Sequence, residues 1–276
     1  MRVGVSPHAP YSVGPGLWRA LAEDADLAAR PWATHLAESP DETRLVDGGD
    51  GPLADLFRAS GWEPGRWPGP ESGSVARLAA AGALRRGMVA AHCVRLGRDD
   101  VSALAAAGVA VAHCPESNAR LRCGRAPVEA LRDAGVPVGL GTDSPASAGS
   151  YDVRAEAHSC AREAATAGAA PPGPAELLRM ATLGGAEALG LDGLVGSLEP
   201  GKRCDLVAVL PAGGAAASGD APGDPCAVAL DPTSRVVTAV VEGRELLRDG
   251  EPVDAGAREV EAAAAAARAR IANLPR

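Results

Sequence analysis

Aromatic side chains are scarce in this chain: four Trp, two Tyr and one Phe make up 3% of it. Apolar burial must therefore come mainly from Ala, Val and Leu, within a hydrophobic content of 46%. Basic clusters are also lacking. The cationic residues are scattered, nearly all are Arg, and the formal net charge is -8. A surface of that sign repels nucleic acid and anionic membranes, so neither is expected as a partner. None of the six cysteines (Cys93, Cys114, Cys123, Cys160, Cys204, Cys226) forms a Cys-x-x-Cys pair, and 276 residues need no staples. Free thiols in a reducing cytoplasm are the expectation. No apolar signal stretch opens the chain. The longest apolar run, Ala103 to Val111, is broken by Gly108 and is far too short to span a bilayer. No internal repeat is visible.

What is present is alternation. Short apolar segments near residues 3–6, 32–36, 88–92, 109–113 and 137–141 read as strands. Helical patterns lie between and after them: from Pro15 through Leu27, after Ser39, and over Val75 to Leu84, Asp99 to Ala107, Pro127 to Asp133, Val153 to Ala165 and Ala175 to Leu189. Ser39-Pro40-Asp41-Glu42 has the form of a capping box, with proline at the first helical position. An ordered surface loop is expected from Gly61 to Gly73, and a long loop after His113.

This pattern predicts an α/β fold with a parallel sheet covered by helices, and polar residues collect just beyond the C-terminal strand ends. A closed barrel needs eight strands. Residues 1–190 are thus expected to form about the last five strands of an incomplete (β/α)8 TIM-type barrel. Residues 191–250 read as a small β unit, with strands at Cys204 to Leu210, Ala227 to Leu230 and Val236 to Val241. Glu242-Gly243-Arg244 is its hairpin turn, and Pro211 to Pro225 is a Gly/Ala/Pro-rich insert. Residues 251–276 read as a helical tail.

Of five histidines, His8, His35, His92 and His113 end or closely follow predicted strands, while His158 falls inside a helix and reads as structural. Asp143 follows the last strand in the same way. Imidazole and carboxylate gathered at one sheet edge suit one divalent ion, zinc or ferrous iron. In His35-Leu36-Ala37-Glu38 a candidate ligand precedes a carboxylate placed to move the proton of a bound water.

His35-Leu36-Ala37-Glu38-Ser39, Ala91-His92-Cys93-Val94-Arg95-Leu96, His113-Cys114-Pro115-Glu116-Ser117-Asn118 and Leu140-Gly141-Thr142-Asp143-Ser144 occur in the order and spacing of the amidohydrolase superfamily. Together with Ser6-Pro7-His8-Ala9-Pro10-Tyr11 and the Gly196-Ser197-Leu198-Glu199-Pro200-Gly201 tail, the chain most resembles its aminohydrolase and chlorohydrolase branch. That branch includes adenosine-type, methylthioadenosine/adenosylhomocysteine and aminodeoxyfutalosine deaminases.

The resemblance implies metal ligation by His35 and Asp143, with His92 either a third ligand or a substrate contact. It implies that Asp143 is the base for the attacking water and that Glu38 is the acid serving the ring nitrogen. His8 is then a substrate contact, Ser117 and Asn118 shape the substrate loop, and His113 is structural or lines the pocket. The implied reaction is hydrolytic deamination of an aminopurine nucleoside-like small molecule, with aminodeoxyfutalosine one candidate. Alternatives are a chlorohydrolase, a guanine or cytosine deaminase or another cyclic C–N hydrolase, and an inactive remnant or half of a split enzyme. The family's first barrel strand ends in His-x-His, a motif this sequence does not contain. The first three barrel strands and half of the small β unit are expected to be missing. Association with a second copy or a completing N-terminal segment is expected for the same reason.

Overall fold

A computed structural model describes residues 3–62, 73–211 and 223–272. The chain divides into two compact units, Met1–Gly196 and Ser197–Arg276.

The first unit is built on a four-stranded parallel sheet in the order β1 (Trp32–Leu36), β2 (Met88–His92), β3 (Ala110–His113) and β4 (Val138–Leu140). Trp32 pairs with Met88, Leu36 with His92, and His113 with Leu140, so the strand ends carrying the polar residues stand side by side. The strand expected near residues 3–6 is reduced to one parallel bridge between Val5 and Trp32. Pro7 has no N–H to give a ladder. The segment nevertheless follows β1, because the His35 N–H donates to the His8 carbonyl at 2.9 Å.

Helices cover this sheet. The helix Pro40–Gly48 starts on Ser39, whose Oγ accepts from the Glu42 N–H at 3.1 Å. The reciprocal half of the capping box is diverted: the Glu42 carboxylate accepts from the N–H groups of Ala37 and Glu38 at 3.1 and 2.7 Å. It therefore pins the turn that follows β1. The expected helix from Pro15 to Leu27 is split at Asp24, whose carboxylate caps the second piece. The expected loop after His113 contains a helix, Pro115–Arg120, opened by proline at its first position. The helix read from Ala175 to Leu189 is interrupted by a π-helical turn, Met180–Gly184.

That turn has a packing cause. A Cβ on Gly139 of β4 would meet the Gly185 Cα at 2.7 Å, and one on Gly184 would meet the Val138 carbonyl oxygen at 2.6 Å. Backbone lies directly on backbone there. With few aromatics to fill space, this part of the core closes by approach of the main chains. Trp18, Trp32, Leu36, Leu78, Met88, Leu104 and Leu131 supply its largest fully buried apolar side chains.

The second unit is an antiparallel sheet in the order β5 (Leu206–Leu210), β6 (Arg235–Val241), β7 (Arg244–Arg248) and β8 (Glu251–Pro252), with a helix at Ala255–Ala272. The β6–β7 turn is the expected one: Glu242 and Gly243 both have positive φ, 52° and 77°. Ala227 to Leu230, expected as a strand, lies in a helix, Pro225–Leu230. Asp224 caps it and Pro225 takes its first position, and these local signals outweigh the apolar run. The expected insert from Pro211 to Pro225 and the loop from Gly61 to Gly73 lie largely outside the described residues. Among the described residues no helix is long and apolar enough to cross a membrane.

Candidate metal centre

Among the described residues, four of the seven non-glycine residues with positive φ sit on the turns leaving these parallel strands: Ala37, His92, Cys93 and Asp143. Such backbone costs free energy and persists where its surroundings hold it in place. Here the hold is visible. The N–H groups of Cys93 and Val94 donate to the carbonyls of Leu36 and Ala37 at 3.0 and 2.9 Å, which locks the turn after β2 onto the end of β1.

These turns bring His35, His92 and Asp143 together. One ligand atom from each lies within 4.8 Å of the others. The His35 and His92 rings stack at 5.2 Å between centroids, and His8 sits 5.0 Å from His35. His35 Nδ1 is 3.2 Å from the His8 carbonyl oxygen. A carbonyl only accepts, so Nδ1 is the donor there, and in the neutral ring Nε2 keeps its lone pair. Asp143 Oδ2 accepts from the hydroxyls of Ser117 and Ser147 at 2.7 and 2.6 Å. Burial pushes the Asp143 carboxyl upward, but those two hydroxyls and His92 outweigh it and hold the group below the usual carboxylate range. Burial, with His35 adding to it, lowers His8.

Glu38 faces the same space. Its Oε1 lies 3.8 Å from His92 Nε2 and accepts from the Cys123 thiol at 3.9 Å. His92 Nε2 is fully buried and has no hydrogen-bond partner among the described residues. A buried, unpartnered imidazole nitrogen beside a second imidazole and a carboxylate has the donor chemistry of a zinc or iron site, so the residues fit such an ion.

The remaining expected residues divide clearly. His8 is exposed at the rim, its Nδ1 2.6 Å from Ser12 Oγ. Ser117 and Asn118 are fully buried; their side chains reach Asp143 and His92 rather than open space. His113 is buried on the helix-covered side, its Nε2 3.7 Å from Glu163 Oε2. His158 is exposed on the helix Val153–Thr166. Ser147 and Glu42 had not been singled out as site residues. The signal for Ser147 was available: Ser144-Pro145 starts a helical turn that returns position 147 to Asp143.

Residues 1–246 match the amidohydrolase family. The chain belongs to that family. Its parallel β/α unit is accordingly of the (β/α)8 barrel type, with the site at the C-terminal strand ends. A 5-methylthioadenosine/S-adenosylhomocysteine deaminase of Syntrophobacter fumaroxidans is 41% identical over 214 residues, which is 76% of this chain and 44% of the relative. A protein of the same name from Pelotomaculum thermopropionicum is 40% identical over 208 residues, 74% of this chain and 42% of the relative. The amidohydrolase chain thus spans a little under half the length of these relatives. Among solved structures, an adenosine deaminase of Xanthomonas campestris with bound zinc superposes with a TM-score of 0.79 at 30% identity, covering 98% of this chain and 57% of that one. An atrazine chlorohydrolase of Arthrobacter aurescens complexed with zinc and atraton gives a TM-score of 0.74 at 27% identity, covering 96% and 54%.

Proposed function

We propose that the chain carries part of the active site of a metal-dependent hydrolytic deaminase acting on an aminopurine nucleoside-like small molecule. The observation behind this reading is the convergence of His35, His92 and Asp143 donor atoms within 4.8 Å, with Glu38 Oε1 beside His92. A divalent ion held by His35, Asp143 and His92 would lower the pKa of a bound water; the zinc in two similar structures favours zinc over iron. Asp143 accepts a proton from the attacking water. The water oxygen bonds to the amino-bearing ring carbon while Glu38 delivers a proton to the adjacent ring nitrogen. The proton on Asp143 passes to the amino group, the C–N bond breaks and ammonia departs, and the proton of the added hydroxyl returns to Glu38 as the carbonyl product forms. His8, exposed beside His35, would touch the substrate.

The names of the relatives favour 5′-thioether adenine nucleosides over aminodeoxyfutalosine as the first substrates to try. The experiment is ammonia release by the zinc-loaded chain from 5′-methylthioadenosine, S-adenosylhomocysteine, adenosine and aminodeoxyfutalosine, with Glu38→Gln and Asp143→Ala as controls. Turnover lost in both variants supports the deaminase. Dechlorination of a chlorotriazine without ammonia release from the purines would move the reading to a chlorohydrolase. Zinc content near zero, with no turnover, would leave a non-catalytic member of the family. Light scattering on the same sample reads whether a second copy takes part.

A further inference from the structure

Asn118 stands 26 residues from His92 in sequence, is fully buried, and places its Oδ1 2.9 Å from His92 Nδ1. Two proton arrangements satisfy that distance. In one, Nδ1–H donates to the amide oxygen and Nε2 keeps its lone pair. In the other the amide is turned over, its N–H donates to a bare Nδ1, and Nε2 carries the proton.

The surroundings choose between them. Unpaired donors alone do not choose, because with Nδ1–H the buried Asn118 Nδ2 lacks a partner among the described residues and with Nε2–H the ring nitrogen does; the position of Nε2 decides. Nε2 has no partner among the described residues, and Glu38 Oε1 at 3.8 Å is beyond hydrogen-bond reach. Nε2 also converges with the ligand atoms of His35 and Asp143, where a lone pair is useful and an N–H is not. The stacked neighbour is set the same way, by a carbonyl at its Nδ1.

We infer that Asn118 is a positioning residue that fixes His92 as the Nδ1–H tautomer, with the Nε2 lone pair aimed at the metal centre. The helix Pro115–Arg120 then serves two members of the site at once. Ser117 holds Asp143 and the adjacent Asn118 holds His92, while Glu156 Oε2 accepts from the Glu116 N–H at 3.0 Å and anchors the turn. The inference rests on the metal-site reading of His35, His92 and Asp143, not on the proposed deaminase activity.

The test uses the full chain labelled with 15N in its histidines, and Asn118→Asp and Asn118→Leu variants, with His92→Gln to assign the ring. Long-range 1H–15N correlation spectra separate protonated from bare ring nitrogens. Wild type and Asn118→Asp, whose carboxylate can only accept, should show Nδ1–H and a bare Nε2. Asn118→Leu keeps the bulk and should lose that preference. Zinc affinity, read by competition with a chromophoric chelator, should fall about 10–100-fold in Asn118→Leu and stay within about threefold in Asn118→Asp. A protonated Nε2 in wild type overturns the inference, as does an Asn118→Leu chain that keeps both tautomer and affinity. If Asn118→Leu does not fold, the wild-type and Asn118→Asp spectra still decide. If no chain binds zinc, the metal-site reading fails while the spectra still judge Asn118.

Discussion

The tripeptide Ala-His-Cys occurs at the ends of two neighbouring strands, Ala91-His92-Cys93 on β2 and Ala112-His113-Cys114 on β3. Both histidines are buried, and their surroundings treat them in opposite ways. His92 leaves the strand with φ 71°, Cys93 follows at 51°, and the ring stacks on His35 at the candidate metal centre. His113 stays in the regular ladder, its carbonyl accepting from the Gly141 N–H at 2.9 Å, and its ring meets Glu163 of the covering helix. His92 has an acceptor for one ring nitrogen and a shared site for the other. His113 Nδ1 has no partner among the described residues, and burial, then Arg125 and His92, push it down to about 3. One imidazole faces the candidate site and the other is kept neutral by burial, and backbone torsion separates them.

Exchange of the two histidines should break the comparison most sharply. His92→Ala should lower turnover about 10²–10⁴-fold in the deaminase assay, the range for a positioned proton-handling or ligand group. His113→Leu should leave zinc content unchanged. Equal losses in both would remove the distinction drawn here.

The carboxylate side of the centre should respond less. Ser117→Ala takes one of two hydroxyl donors from Asp143 and should weaken zinc binding about tenfold in chelator competition. Ser147→Ala should do the same. No change in either variant would mean that the hydroxyls do not orient Asp143.

A third expectation concerns the β3 side alone. Burial raises Glu163 to about 7, against the opposing pull of Arg125 and Arg162. Because its folded pKa lies above the ordinary carboxylate value, the folded state binds more protons, and stability falls as pH rises from about 4.5 through 7. His113 acts in the opposite sense: its folded pKa is depressed, so stability is lost as pH falls from about 6.5 towards 3. Glu163→Gln should therefore stabilise the chain by about 1–2 kcal/mol at pH 7 in urea unfolding, and the gain should vanish near pH 4. A gain independent of pH would show that Glu163 does not titrate in this window. The smallest effect belongs to His158→Ala, exposed on its helix: within about 0.5 kcal/mol in stability, with zinc binding unchanged.

Much of the parallel unit was legible because its signals are local. Apolar runs of strand length marked β1 to β4 to within a residue or two, and Ser39-Pro40 marked its helix start. Legibility failed where a local pattern had two solutions. Ala227 to Leu230 is apolar enough for a strand, but Asp224 and Pro225 make it a helix. Ala175 to Leu189 has an unbroken helical pattern, and only the approach of Gly184 and Gly185 to β4 breaks it. Glu42 read as half of a capping box, whereas its carboxylate reaches back to the turn carrying Glu38.

By itself the sequence determined which residues stand at strand ends, and hence that His35, His92, His113 and Asp143 share one edge of a sheet. The period of a strand and the chemistry of caps and prolines are written within a few residues. The tertiary structure decided which of two identical tripeptides turns its imidazole into the site. That choice depends on hydrogen bonds from the turn after β2 to the end of β1, and on an amide 26 residues away. These partners are brought to His92 only by folding, so no local pattern around it announces them.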